Sequence, residues 1–178
     1  MSKIEHQNII YFKTAATQFP SSPLWGWHFV VPNDIAIQFV DGKDRRVVCT
    51  INDKLTIHAA LMPNKETWFV MLNQKHVKLL QIVPDTIVEV QMVKDTSEFG
   101  MPFPEELKEV LYQDVEAEKY FMSLTPGKQR TLIYQINNTK NSDGRIRKSL
   151  AIADHLTANH GAIDYKLLNE AFKAYNKM

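Results

Sequence analysis

Thr86-Ile87-Val88-Glu89-Val90-Gln91-Met92-Val93 sets Val88, Val90 and Met92 against Ile87, Glu89 and Gln91, with a period of two. Successive side chains of a strand point to opposite faces, so this stretch reads as a strand with one face buried. Similar, shorter runs lie upstream. Ile9-Ile10-Tyr11-Phe12 opens the series and leads to a loop holding Pro20, Ser21, Ser22 and Pro23. Trp27-His28-Phe29-Val30-Val31 is ended by Pro32, which cannot donate to a ladder. Ile35, Ile37 and Phe39 alternate with Ala36, Gln38 and Val40, and Asp41-Gly42 then gives a turn. Residues 46–51 and 55–61 flank Asn52-Asp53-Lys54 as a hairpin would, and residues 67–72 are β-branched and aromatic. A further strand or short helix is expected around residues 77–80. Roughly six or seven short strands punctuated by turn signals point to a closed barrel or sandwich.

Downstream of Lys94 the texture changes. Gly100, Pro102 and Pro104 mark a connector, and Pro104, Glu105 and Glu106 suit the first turn of a helix. Leu107, Val110 and Leu111 give that helix an apolar face, and a second helix is expected over residues 114–122. Thr125-Pro126 is a helix start, with Leu132, Ile133 and Ile136 facing inward. Asn141-Ser142-Asp143-Gly144 reads as a break and a fresh cap, after which Ile146, Leu150 and Ala153 continue at helical spacing. Gly161 stops that helix, and Asp164 caps a last one carrying Leu168, Ala171, Phe172 and Tyr175 on one stripe. About five short helices are expected. The fold class is therefore α+β: a small N-terminal β-barrel over residues 1–95, followed by a C-terminal bundle of short helices over residues 96–178.

Composition bounds the function classes. A hydrophobic share of 44% and a charged share of 23% are ordinary globular usage. The single cysteine, Cys49, allows no intrachain disulfide and fits a reducing compartment. Lys3, Glu5, His6 and Lys13 interrupt the first residues, so no secretory signal is expected. No window approaches the roughly 18 apolar residues of a membrane span. The expectation is a cytoplasmic protein. Net charge is +1, but it is unevenly placed: residues 101–124 sum to −4 and residues 125–149 to +5.

Catalytic constellations are not evident, and no cofactor or metal is expected. Cys49 sits in the strand pattern Val47-Val48-Cys49-Thr50-Ile51 and reads as a small core residue. His28, His58 and His76 fall on separate strands or turns, and His155 and His160 are five apart rather than the four that align on a helix face. They read as ordinary imidazoles. Glu105-Glu106 and Glu116 with Glu118 read as solvated helix ends. Pro126-Gly127-Lys128 lacks the remaining residues of a phosphate-binding loop. Trp25-Gly26-Trp27 could stack a base, but Trp27 alternates with Phe29 as a core strand would.

Lys140, Arg145, Arg147 and Lys148 make the better candidate, because they cluster around the helix start at Ser142. Free amides at a helix start, together with arginines, can bind an anion or a phosphate. Asp143 opposes this, and the competing account is that the basic segment pairs with the acidic one or forms a solvated face.

Trp27-x-x-Val30-Val31-Pro32, Val47-Val48-Cys49-Thr50-Ile51-Asn52, Ala60-Leu61-Met62-Pro63 and Phe69-Val70-Met71-Leu72-Asn73 together resemble a bacterial barrel family, domain of unknown function nineteen-oh-five. Ile136, Thr139-Lys140, Asp143-Gly144-Arg145 and Ile146-Arg147 resemble the YdeI/OmpD-associated, bacteriocin-protection-like helical segment often fused to it. Pro84-Asp85 stands where the barrel family usually has Gly-Asp, and Thr139 and Gly144 also depart from the tail's usual residues. The resemblance implies a double-split type of barrel, a shape shared with dimeric DNA-binding regulators.

The function expected is that of a non-enzymatic cytoplasmic binding or accessory protein, with a stress or bacteriocin-protection role implied by the resemblance. Its partner would be an unknown protein or an anionic molecule contacted by the basic tail. Nucleic-acid binding, by those helices or by a dimeric barrel, is the alternative, disfavoured by a pI near 7.8. A small-ligand enzyme at the barrel mouth, around Trp27, His28 and His58, is the third reading. The oligomeric state is left open by these residues.

Overall fold

The structure, a computed structural model, describes residues 8–20 and 26–177. Trp25 and the Ser21-Ser22-Pro23 part of the first loop lie outside the described residues, as do Lys3, Glu5 and His6. The chain divides into two compact units, Met1–Thr96 and Ser97–Met178.

The first unit is a seven-stranded antiparallel sheet: β1 (Ile10–Gln18), β2 (Trp27–Val31), β3 (Arg46–Ile51), β4 (Leu55–Ala60), β5 (Met62–Asn64), β6 (Thr67–Met71) and β7 (Thr86–Lys94). Their order is β4-β3-β7-β1-β2-β6-β5, so the long β7 sits between β3 and β1. Its alternating residues carry the register: Val90 opposes both Phe12 and Ile51, and Met92 opposes both Ile10 and Cys49. The sheet curls into a half-barrel, bringing β4 alongside β6. Among the described residues no ladder joins those two strands. Phe29, Val47, Cys49, Ile51, Val70 and Val88 fill the interior with no exposed surface. Each such large side chain stabilises by about 1.5–3 kcal/mol relative to exposure.

Asn52 and Asp53 both adopt left-handed backbone, with φ of 51° and 53°, which matches the twist of the β3–β4 hairpin. The Asn52 side chain also accepts from the Glu89 amide at 2.8 Å, tying the turn to β7. One expected strand is absent. Residues 33–36 form a short helix, α1 (Asn33–Ala36), whose Ala36 amide donates to the Pro32 carbonyl at 2.9 Å. Ala36 and Phe39 are buried while Ile37 is 56% exposed, a spacing of three that the alternation of isoleucines concealed. Near residues 77–80 the helix was formed, not a strand: α2 (Gln74–Leu80) starts at Asn73, whose side chain accepts from the His76 amide.

The second unit comprises α3 (Glu105–Gln113), α4 (Val115–Ser123), α5 (Pro126–Asn137), α6 (Ser142–Ala158) and α7 (Tyr165–Tyr175). Asp114, Asn141 and Asp164 accept from the first amides of α4, α6 and α7. Thr125 stands at the cap of α5 but makes no side-chain capping bond, and Pro126 at the first position removes one donor that would need it. Leu107, Phe121, Leu132, Ile133, Ile136, Ile152 and Leu156 are fully buried and form the core. Phe99 stacks on Phe103 at 4.6 Å, and both lean on Phe121, which anchors the connector to the helices.

Candidate functional site

The basic cluster predicted around Ser142 lies on and just before the start of α6, where α3 packs against it. Its members separate by environment. Arg145 Nε donates to Glu106 Oε1 at 2.8 Å, and Ser142 Oγ donates to the same oxygen at 2.9 Å. The Arg145 hydrogen bond, helped by the residue's own backbone amide and by Ser142, holds the Glu106 carboxyl below its usual range. Lys148 donates to the Gln135 carbonyl at 2.9 Å, and its ammonium lies 5.4 Å from the Phe172 ring centre. Burial lowers the Lys148 pKa. Lys140 is exposed and Arg147 half-buried. Asn141 occupies the cap, accepting from the Gly144 amide at 2.7 Å, so that amide faces a side chain and not solvent.

Beside this cluster runs a groove of about 580 Å³ between α3 and α6. Its floor is Val110, Ile146, Leu150 and Ala153. Ile146 and Leu150 share a face with Ala153, as their spacing implied, yet they are 41% and 38% exposed. Helical spacing reports which side chains share a face; it does not report whether anything covers that face. The buried side of α6 is instead Ser149, Ala151, Ile152, His155 and Leu156.

Carboxylates rim the groove: Glu105, Glu106, Glu109, Asp114 and Asp154. Asp114 also caps α4 through the Ala117 amide at 3.0 Å. Asp154 accepts from the Tyr175 hydroxyl, and that hydrogen bond raises the Tyr175 pKa. The sequence reads Glu105 and Glu106 as solvated helix ends, which holds for Glu105, 85% exposed, and fails for Glu106, 15% exposed. What it lacked was the return of α6 alongside α3, which brings residues 39 positions apart into contact.

A second cavity in this unit, of about 430 Å³, is lined by Phe99, Met101, Phe103, Leu111 and Met122 with Glu98, Glu105, Lys108 and Glu118 around them. It is the smaller and more aromatic of the two openings, and its charged lining residues are exposed.

The residues of the barrel-mouth reading do not form one constellation. Trp27 is in the core of the half-barrel. His28, its neighbour along β2, therefore faces the other side of the strand. Its Nδ1 lies 2.7 Å from the Gly26 carbonyl, and its ring stacks on Phe19 at 4.0 Å. His58 stands on β4 with Nδ1 2.8 Å from Asp95 Oδ2. Cys49 is buried, and desolvation pushes its thiol up to about 12, far from a reactive thiolate. Among the described residues no helix is long and apolar enough to cross a membrane, and no three His, Cys, Asp or Glu side chains converge as a metal cluster.

No curated protein and no solved structure matches the chain. Two family models do. Residues 12–92 match the domain of unknown function DUF1905, which covers nearly all of the sheet. Residues 101–159 match the family described as bacteriocin-protection, YdeI or OmpD-associated, which spans α3 to α6 and so contains both the basic cluster and the groove. The two matches follow one another along the chain, DUF1905 first and the bacteriocin-protection, YdeI or OmpD-associated family second, as the resemblance implies.

Proposed function

We propose that the protein is a non-enzymatic, cytoplasmic binding or accessory protein, and that the α3–α6 groove receives a cationic, amphipathic helical segment of a partner protein. The observation that carries this reading is the groove itself: an apolar floor left partly exposed inside a rim of five carboxylates. An apolar face in a groove with i, i+3 and i+4 anchors is a recurrent mode of helix recognition. The carboxylate rim selects lysine- or arginine-bearing segments and repels acidic ones. This moves the contact surface away from the four basic residues, since Arg145 and Lys148 already serve internal contacts. Support for the accessory role comes from the description of the matching helical family, and support for a reducing compartment from the single, buried Cys49.

The test is fluorescence anisotropy with a labelled basic amphipathic helical peptide and an acidic peptide of the same apolar face. Binding of the basic peptide alone is expected, weakened about tenfold or more by Ile146→Asp with Leu150→Asp. Both residues are partly exposed, so the fold should tolerate them. Equal binding of the two peptides, no binding, or binding that ignores those substitutions would overturn the proposal.

A further inference from the structure

His58 and His76, which the sequence places on different elements, line one cavity of about 260 Å³ together with Met62 and Met71. The remaining walls are Ile57, Ala59 and Ala60, so no carboxylate lines it. We propose that this cavity is a binding site for a soft monovalent cation of the Cu(I) class, held by His58 and the thioethers of Met62 and Met71.

Three features support it. The first is the exposure of the two methionines, 43% and 45%. Methionine usually fills core gaps, and these two contribute little packing. The register puts them on one face: Met62 opposes Phe69 across the β5–β6 pair, and Phe69 and Met71 are two apart on β6. The second is the orientation of His58. A carboxylate can only accept, so the Asp95 contact at 2.8 Å places the neutral ring's proton on Nδ1 and leaves Nε2 with the lone pair. The Asp95 side chain is only 1% exposed. A buried carboxylate behind an imidazole is the usual outer shell of a metal-binding histidine.

The third feature is ligand softness. Thioethers with imidazole favour Cu(I), whereas carboxylates and water favour Mg²⁺, Ca²⁺ and Mn²⁺. A closed structural zinc site needs four nitrogen, thiolate or oxygen ligands, and no such cluster exists among the described residues. His76 lines the cavity but is not among the proposed ligands. Its Nδ1 lies 3.4 Å from the Asn73 amide and its Nε2 3.1 Å from the Asn73 side-chain nitrogen. A neutral ring has one lone pair and satisfies only one of these donors at a time. Burial, then Lys75, lowers its pKa.

The site lies in the first unit and is independent of the helical groove. Its test is anaerobic titration of the full, reduced chain with Cu(I) against a chromophoric Cu(I) chelator. One equivalent should bind. Met62→Leu with Met71→Leu conserves volume and should keep the fold, checked by thermal melting, while weakening binding about tenfold or more. His58→Gln should act in the same direction. Cys49→Ser should leave affinity unchanged, because the thiol is buried away from the cavity lining. Zn(II) under the same conditions should bind more weakly than Cu(I). Absence of stoichiometric binding, survival of binding in the double leucine variant, loss of it in Cys49→Ser, or a preference for Zn(II) would each overturn the assignment.

Discussion

Arg145 and Glu106 sit 39 residues apart and meet through a 2.8 Å hydrogen bond at the junction of α6 and α3. The arginine side chain is 33% exposed and the glutamate 15%, so water screens the pair only partly. Ser142 adds a second donor to the same carboxylate oxygen. The junction of the acidic and basic segments is thereby a structural contact as well as a surface feature.

A double-mutant cycle on Glu106→Gln and Arg145→Met should give a coupling of about 1 kcal/mol, at the top of the exposed-pair range and below that of a fully buried pair. Urea midpoints of the four proteins measure it. A coupling indistinguishable from zero would mean that the pair is incidental to stability.

Nucleic acid should bind poorly even at low salt. Among the described residues, Lys140 and Arg147 are the two of the four basic candidates not seen in ion pairs or in side-chain hydrogen bonds to the fold. About two phosphate contacts give a shallow salt slope and weak affinity. Anisotropy with single- and double-stranded DNA and RNA checks this. Lys140→Glu with Arg147→Glu is the informative variant, because reversing Arg145 would also break its contact with Glu106. Micromolar binding that these two reversals abolish would restore the basic cluster as the functional surface.

Acid should loosen the helical unit through His155. Its Nε2 accepts from the Asp164 amide at 3.1 Å, so the folded state requires that nitrogen unprotonated. Burial lowers the His155 pKa from 6.5, with Asp164 acting in the opposite sense. The unfolded chain then takes up the proton first. Stability from this group is complete above about pH 6.5 and is lost as pH falls below it. Comparing urea midpoints between pH 8 and pH 5 should show a slope that shrinks in His155→Gln, a side chain that can still accept without titrating. An unchanged slope would remove His155 from the account.

Gly144→Ala should destabilise by about 1 kcal/mol, against the stabilisation that helix propensity alone promises. An added Cβ would stand 2.7 Å from Thr139 Cγ2 and 2.8 Å from Asn141 Oδ1. The second of these atoms is the cap of α6, so relief of the clash disturbs the cap. Thermal melting decides the sign.

Much of this architecture was legible because local chemistry and global packing agreed. Val88, Val90 and Met92 alternate and are buried as the alternation demands. Asn141 and Asp164 read as caps and serve as caps, whereas Asp114, placed by the sequence inside its helix, caps it instead. The reading failed where one pattern served two structures. Ile35, Ile37 and Phe39 fit a strand, but Pro32 starts a turn of helix instead, leaving Ile37 outside and Phe39 inside. The groove and the His58–Asp95 pair were not legible at all. Each depends on elements brought together over more than thirty residues, and one sequence carries no record of which distant segments touch.

Among the described residues, the wall of the half-barrel has a seam where β4 lies beside β6 without a ladder between them. Amides along the free side of β4 therefore lack a strand to hold them, and hydrogen exchange should be fastest there among the longer strands. A cation gripping His58 on one bank and Met62 and Met71 on the other would act as a clasp. It would slow that breathing and raise the melting temperature progressively as the free cation rises above its dissociation constant.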